Sequence, residues 1–178
     1  MGYRVSQAIH GKEGLVLAQK DQPDLIISDV MMPQMDGYEF VQSIRSELLT
    51  SHIPIILLTA KASEESKLSG LQVGADAYLT KPFNRIELQI RVSKLIEQRE
   101  HLRQRFSQAV HSRPEEVSAL PMDQAFVKQV TEIIEQNLSN EQFGVENLSE
   151  AVAMSATHLN RKLKAIIGQS AGKLIPVS

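Results

Sequence analysis

Apolar and polar residues alternate along the first hundred positions in short blocks of two kinds. "DLIIS" (Asp24–Ser28) and "IPIILLT" (Ile53–Thr59) are continuous apolar runs rich in β-branched residues, the pattern of strands buried on both sheet faces. "YRVSQAI" (Tyr3–Ile9) is compatible with a further strand, and "AYLT" (Ala77–Thr80) reads as a short last one. Between them, "GKEGLVLAQKD" reads as a helix, and "GYEFVQSIRSE" sets Phe40, Val41 and Ile44 on one helical stripe. "ASEESKLSGLQVG" predicts a helix ending at Gly74, and "NRIELQIRVSKLIEQRE" a longer one after the last strand. Strands alternating with helices over short loops predict a parallel α/β sheet. From about Gln98 to Pro121 the chain is polar, with mixed charge and two prolines, and reads as a helix running out into a linker. From Met122 onward the pattern is helical. "DQAFVKQVTEIIEQNL" places Phe126, Val130, Ile133 and Ile134 on one face with Asp123 as its cap, and two short helices meet at "AMSA".

Composition narrows the picture. The 178 residues include 19 basic and 21 acidic side chains, a net charge of -2, which excludes bulk attraction to polyanions but leaves room for a local basic patch. Cysteine is absent, so disulfides and thiolate metal sites are excluded. No apolar stretch is long enough to span a bilayer, and "MGYRVSQ" lacks the apolar region of a signal peptide; a cytoplasmic location is expected.

Open parallel sheets place their ligands at the carboxyl ends of their strands, and Asp29, Thr59 and Lys81 fall at three such ends. Singly, each has an ordinary explanation as a turn residue, a strand residue or a solvated charge. Together they form a set with a chemistry. A carboxylate can accept a phosphoryl group as an acyl phosphate, a lysine can balance the added charge, and a hydroxyl can sense the new oxygens.

"DLIISDVMMPQMDGYEF", "IPIILLTA" and "GADAYLTKPF" resemble, in order and spacing, the receiver domains of bacterial two-component response regulators. The resemblance implies a flavodoxin-like α/β fold with Asp29 as phosphoacceptor, Thr59 as switch hydroxyl, Lys81 as phosphate-binding lysine and Tyr78 as switch aromatic. It also implies a cis bond before Pro82, a tight turn at Gly37, and a sensor histidine kinase as partner, in the full-length protein even the same polypeptide. Receivers hold Mg²⁺ with an acidic pair on their first strand, the phosphoacceptor and a backbone carbonyl, here Asp29 and Met31. With the phosphoacceptor at residue 29, the first strand, its acidic pair and the first helix have no room. The expectation is a receiver sheet lacking that strand and helix, N-terminally truncated, with weak or absent Mg²⁺ binding and residues up to about Lys20 loosely held.

"VENLSEAVAMSATHLNRKLKAIIG" resembles the first helix-turn-helix of AraC-type transcription regulators, joined to a receiver as in Bacteroidetes hybrid two-component regulators. Val145–Ala153 would be the supporting helix and Ala156–Ile167 the recognition helix, capped by Ser155. The resemblance sets Thr157, Asn160 and Arg161 toward the bases of double-stranded DNA, with Lys162, Lys164 and His158 on phosphates. The family's second such motif is expected to be missing, the chain being read as truncated at this end as well. The plainer reading is a helical hairpin whose charges only solvate it. Leu88, Val92, Leu95, Leu102 and Phe106 approach a heptad seam, interrupted by Arg99, which suggests a homodimer through the helix over 84–106; alternatively Ile86, Ile90 and their neighbours pack on the sheet.

The expected organisation is a receiver over 1–97, a helical linker over 98–121 and a small all-α DNA-binding segment over 122–178. It describes a phosphorylation switch controlling transcription, not a turnover enzyme. A stand-alone phosphate-accepting receiver with a protein-interaction tail, or an inert gene fragment, are the competing readings.

Overall fold

The computed structural model describes residues 2–60, 73–109, 121–140 and 142–176. They fall into two compact units that divide between Glu97 and Gln98.

In the first unit, β1 (Ile26–Asp29), β2 (Ile55–Thr59) and β3 (Ala77–Thr80) form a parallel sheet in the order β1-β2-β3. The register pairs Asp29 with Leu58 and Thr59 with Thr80, so all three strands end along one edge. β2 is central, and its Ile55, Ile56 and Leu57 are fully buried, as the unbroken apolar run predicts. On one sheet face, α1 (Gly11–Asp21) and α2 (Gly37–Ser46) bury Ala18, Phe40, Val41 and Ile44 against Ile55 and Leu57. On the other, Leu88, Val92 and Leu95 of α3 (Arg85–Ala109) pack with Ile56, Ala77 and Leu79.

Several expectations are corrected by the structure. Tyr3–Ile9 is not a strand; Tyr3, Val5 and Ile9 stay 61%, 74% and 81% exposed, because an alternating pattern makes a strand only when a ladder receives it. The next segment is nevertheless anchored. His10 Nδ1 accepts the Glu13 amide at 3.1 Å to cap α1, and Gly11 seats against Met35. The heptad reading of α3 also fails over its first half. Leu88, Val92 and Leu95 are occupied by the sheet, whereas Ile86 and Ile90 remain 62% and 50% exposed. Apolar spacing fixes which residues share a face but not what covers it. The side chains of Leu102 and Phe106, and residues 62–72 of the helix expected to end at Gly74, lie outside the described residues.

The second unit contains the end of α3 and four further helices, α4 (Pro121–Gln136), α5 (Val145–Ala151), α6 (Ala156–Ile167) and α7 (Ala171–Leu174). Its core is Phe126, Val127, Val130 and Ile134 with Leu148, Leu159, Leu163, Ile166, Ile167 and Ala171. Ser155 caps α6 by accepting the His158 amide at 3.2 Å, and Gly168 ends it at φ 73. Asp123 is not the N-cap residue, because it lies inside the first turn of α4, where it is 1% exposed and ion-paired to Lys162 at 2.8 Å. Among the described residues no helix is long and apolar enough to cross a membrane.

Candidate functional site

The sheet's carboxyl edge brings the expected residues together. Val30 donates its amide to Leu58 and Lys81 donates its amide to Thr59, at 2.9 and 2.7 Å, locking the three strand ends side by side. The Lys81 ammonium reaches across to donate to Asp29 Oδ2. Asp29 Oδ1 accepts the Met31 amide at 3.2 Å. Partial burial pushes the Asp29 pKa upward, but the Lys81 hydrogen bond, the Met31 amide and the Lys81 charge outweigh it and hold the carboxyl below its ordinary range. Asp29 is therefore an anion at neutral pH, the form a nucleophilic carboxylate needs. Thr59 is buried at the end of β2. The bond between Lys81 and Pro82 is cis.

Tyr78 packs into the core formed by α1, α2 and the sheet. Its hydroxyl is buried without a hydrogen-bond partner among the described residues. Burial, with the charges of Tyr38 and Asp76, pushes its pKa up to about 12. Gly37 earns its place by proximity, not by turn geometry. A Cβ there would lie 2.4 Å from the Asp29 carbonyl oxygen, so only glycine lets α2 begin against the end of β1.

Two contributors escaped the sequence reading. Asp36 builds a capping box, accepting the Glu39 amide at 2.8 Å while Glu39 accepts the Asp36 amide at 3.1 Å; "DGYE" carries that signal. Arg45 donates to the carbonyls of Ser51 and Ile53 at 2.7 Å and of Gly74 at 2.8 Å, and to Asp76 at 2.6 Å. Asp76 also accepts the Ile55 amide at 2.6 Å. This knot ties the start of β2 to the approach to β3, and no local pattern in the sequence announces it.

In the second unit Thr157, Arg161 and Lys164 lie on the exposed side of α6 and His158 is half-buried. One expected DNA contact is corrected. Lys162 is 0% exposed and buried against Asp123, with its ammonium 5.3 Å from the Phe126 ring centre, out of reach of any phosphate. Asn160 is half-buried and also bonded within the fold, donating to the Ala156 carbonyl and accepting the Ala171 amide, each at 2.9 Å.

The sequence profile of the response regulator receiver domain matches residues 1–93. The chain belongs to that family. A histidine kinase P4 from Formosa agariphila is 42% identical over 163 residues, which are 92% of this chain and 12% of that protein. The similarity thus runs beyond the receiver into the second unit. The DNA-binding dual master transcriptional regulator RpaA from Synechocystis is 42% identical over 103 residues, 58% of this chain and 43% of that protein. The chain spans less than half the length of both relatives. Among solved structures, the receiver domain of the sensor histidine kinase PA1611 from Pseudomonas aeruginosa is 36% identical with a TM-score of 0.51, covering 54% of this chain and 79% of that one. That structure has a magnesium ion coordinated in its active-site cleft.

The receiver family thereby raises the question of Mg²⁺ here. Among the described residues no three His, Asp or Glu side chains gather to hold a metal ion. Asp29 also gives one carboxylate oxygen to Lys81. Mg²⁺ requires a near-octahedral set of oxygens, and the residues described do not by themselves fit it.

Proposed function

We propose that this chain is the receiver and output segment of a two-component regulator, with Asp29 as its phosphoacceptor. The observation that carries the reading is the ionised Asp29 carboxylate paired to Lys81 at the shared edge of three strands, beside the buried Thr59. In the transfer, a carboxylate oxygen of Asp29 forms a bond to phosphorus as the P–N bond of a phosphohistidine breaks, and the leaving imidazole keeps the electron pair. Lys81 then faces a phosphoryl group in place of a carboxylate and balances its added charge, and the Thr59 hydroxyl donates to a phosphoryl oxygen. The partner is a sensor histidine kinase, and the chain acts as a switch, not a turnover catalyst.

With few oxygen donors among the described residues, Mg²⁺ should bind weakly and phosphorylation should be slow. Acetyl phosphate with Mg²⁺ should add one phosphoryl group to a small fraction of the protein, read by intact mass, and none to Asp29→Asn. Equal labelling of Asp29→Asn, or no labelling of either protein, would overturn Asp29 as acceptor. Full labelling at millimolar Mg²⁺ would overturn the weak metal site.

For the second unit we propose an AraC-type helix-turn-helix that binds double-stranded DNA, α5 supporting and α6 reading. The support is a Ser155-capped α6 with Thr157, Arg161 and Lys164 exposed on it. Lysine and arginine contacts to phosphates release counterions, so affinity should fall steeply with salt. Arg161→Ala should weaken duplex binding about tenfold, within the range of a base-reading arginine. Unchanged binding by Arg161→Ala, or binding insensitive to salt, would favour a protein-interaction tail.

A further inference from the structure

Lys162 sits on the same helix as the exposed Thr157, Arg161 and Lys164, yet its side chain is wholly buried. Its ammonium donates to Asp123 Oδ1 at 2.8 Å and lies 5.3 Å from the Phe126 ring centre, while Asp123 is 1% exposed. Arg99 of α3 adds a second positive charge that opposes Lys162.

Lysine is almost never fully buried unless paired. Withdrawing two charges from water costs about as much as their attraction returns, and an apolar pair of similar volume commonly holds a core at least as firmly. Stability alone therefore does not account for the pair. Direction does. Leu159, Leu163, Ile166 and Ile167 bury α6 through contacts that are non-directional, and such a stripe tolerates helix rotation or a small slide. A hydrogen-bonded ion pair tolerates neither. Turning α6 by one residue, about 100°, would leave Asp123 buried without its ammonium and carry Lys162 away from Phe126.

We propose that Asp123 and Lys162 are the positioning pair of α6: they fix its rotation against α4, and so determine that Thr157, Arg161 and Lys164 are the residues shown to a duplex. The inference rests on the DNA-binding reading for its consequence, but the helix's rotation can be tested without DNA.

The experiment compares the full chain with Lys162→Met, Asp123→Leu and the double variant. Each single change strands one buried charge or removes its hydrogen bond, and should lower the unfolding midpoint sharply. The double variant should recover most of that loss. In ¹⁵N-labelled double variant, the amide signals of residues 156–167 should split or broaden, whereas wild type gives one sharp set. In selection from a random-sequence duplex pool, wild type should enrich a sequence. The double variant should still bind the pool within about threefold of wild-type affinity and yet enrich nothing.

A double variant with one sharp set of signals and the wild-type enriched sequence would overturn the positioning role. So would a double variant no more stable than the worse single variant, since the pair would then be needed for folding itself. If wild type binds no duplex, the DNA-binding reading fails on its own account, and the signals of residues 156–167 still decide whether the pair positions the helix.

Discussion

Tyr78 ends in a hydroxyl that has lost water and found no partner among the described residues. A buried polar group left without a hydrogen bond costs about 1–3 kcal/mol, so Tyr78→Phe should stabilise the first unit by up to that amount, measured by urea denaturation at pH 7. The pH dependence has a definite sign. Folded Tyr78 keeps its proton to about 12, whereas an unperturbed tyrosine loses it near 10.0. Between those values the folded state binds more protons than the unfolded one, and stability falls as pH rises. Wild type should therefore lose stability relative to Tyr78→Phe between pH 10 and 12; parallel curves would contradict this. Asp29 behaves oppositely: its depressed pKa contributes stability at neutral pH that is lost as pH falls through the folded value.

At the scale of elements, the junctions decide more than the helices and strands do. Arg45 holds the loop between α2 and β2 and the approach to β3 with donors to four different residues. Charged hydrogen bonds are worth about 1.5–3 kcal/mol each in favourable settings. Arg45→Met should cost about 3 kcal/mol by chemical denaturation, with α2 itself still formed. In the turn between α5 and α6, Ala153 adopts φ 53. Left-handed backbone costs a residue with a Cβ about 1–2 kcal/mol, and Ala153→Gly should raise the second unit's stability by about 0.5–1 kcal/mol. These junctions also mark where the sequence is legible. The blocks from Asp24 to Ser46 and from Ile53 to Thr59 could be read because burial on one or both sides writes a period into the residues themselves. The strand ends Asp29, Thr59 and Lys81 could be read because parallel topology aligns them. Arg45 and the Asp123–Lys162 pair could not, since their partners lie distant in the chain and periodicity carries no pairing information. Leu88, Val92 and Leu95 were ambiguous for the same reason: one apolar stripe suits a sheet or a second helix equally.

For the molecule as a whole, the two units illustrate different sources of order. The first is organised by a short sheet with β2 at its centre, the second by one apolar core beneath α4 and α6. Among the described residues β1 pairs with β2 alone, and Ile27 on it is 43% exposed. Backbone groups along such an edge are a template for any other strand that meets them. The consequence belongs to the test tube as much as to the fold: this chain should behave as a sticky colloid. Its apparent mass by light scattering should climb with concentration even where its helices are intact by circular dichroism. Ile27→Lys, placing a charge on that edge, should flatten the climb, and a mass that rises identically in both proteins would locate the stickiness elsewhere. If Ile27→Lys does flatten the climb, shelf life is governed by four residues of strand.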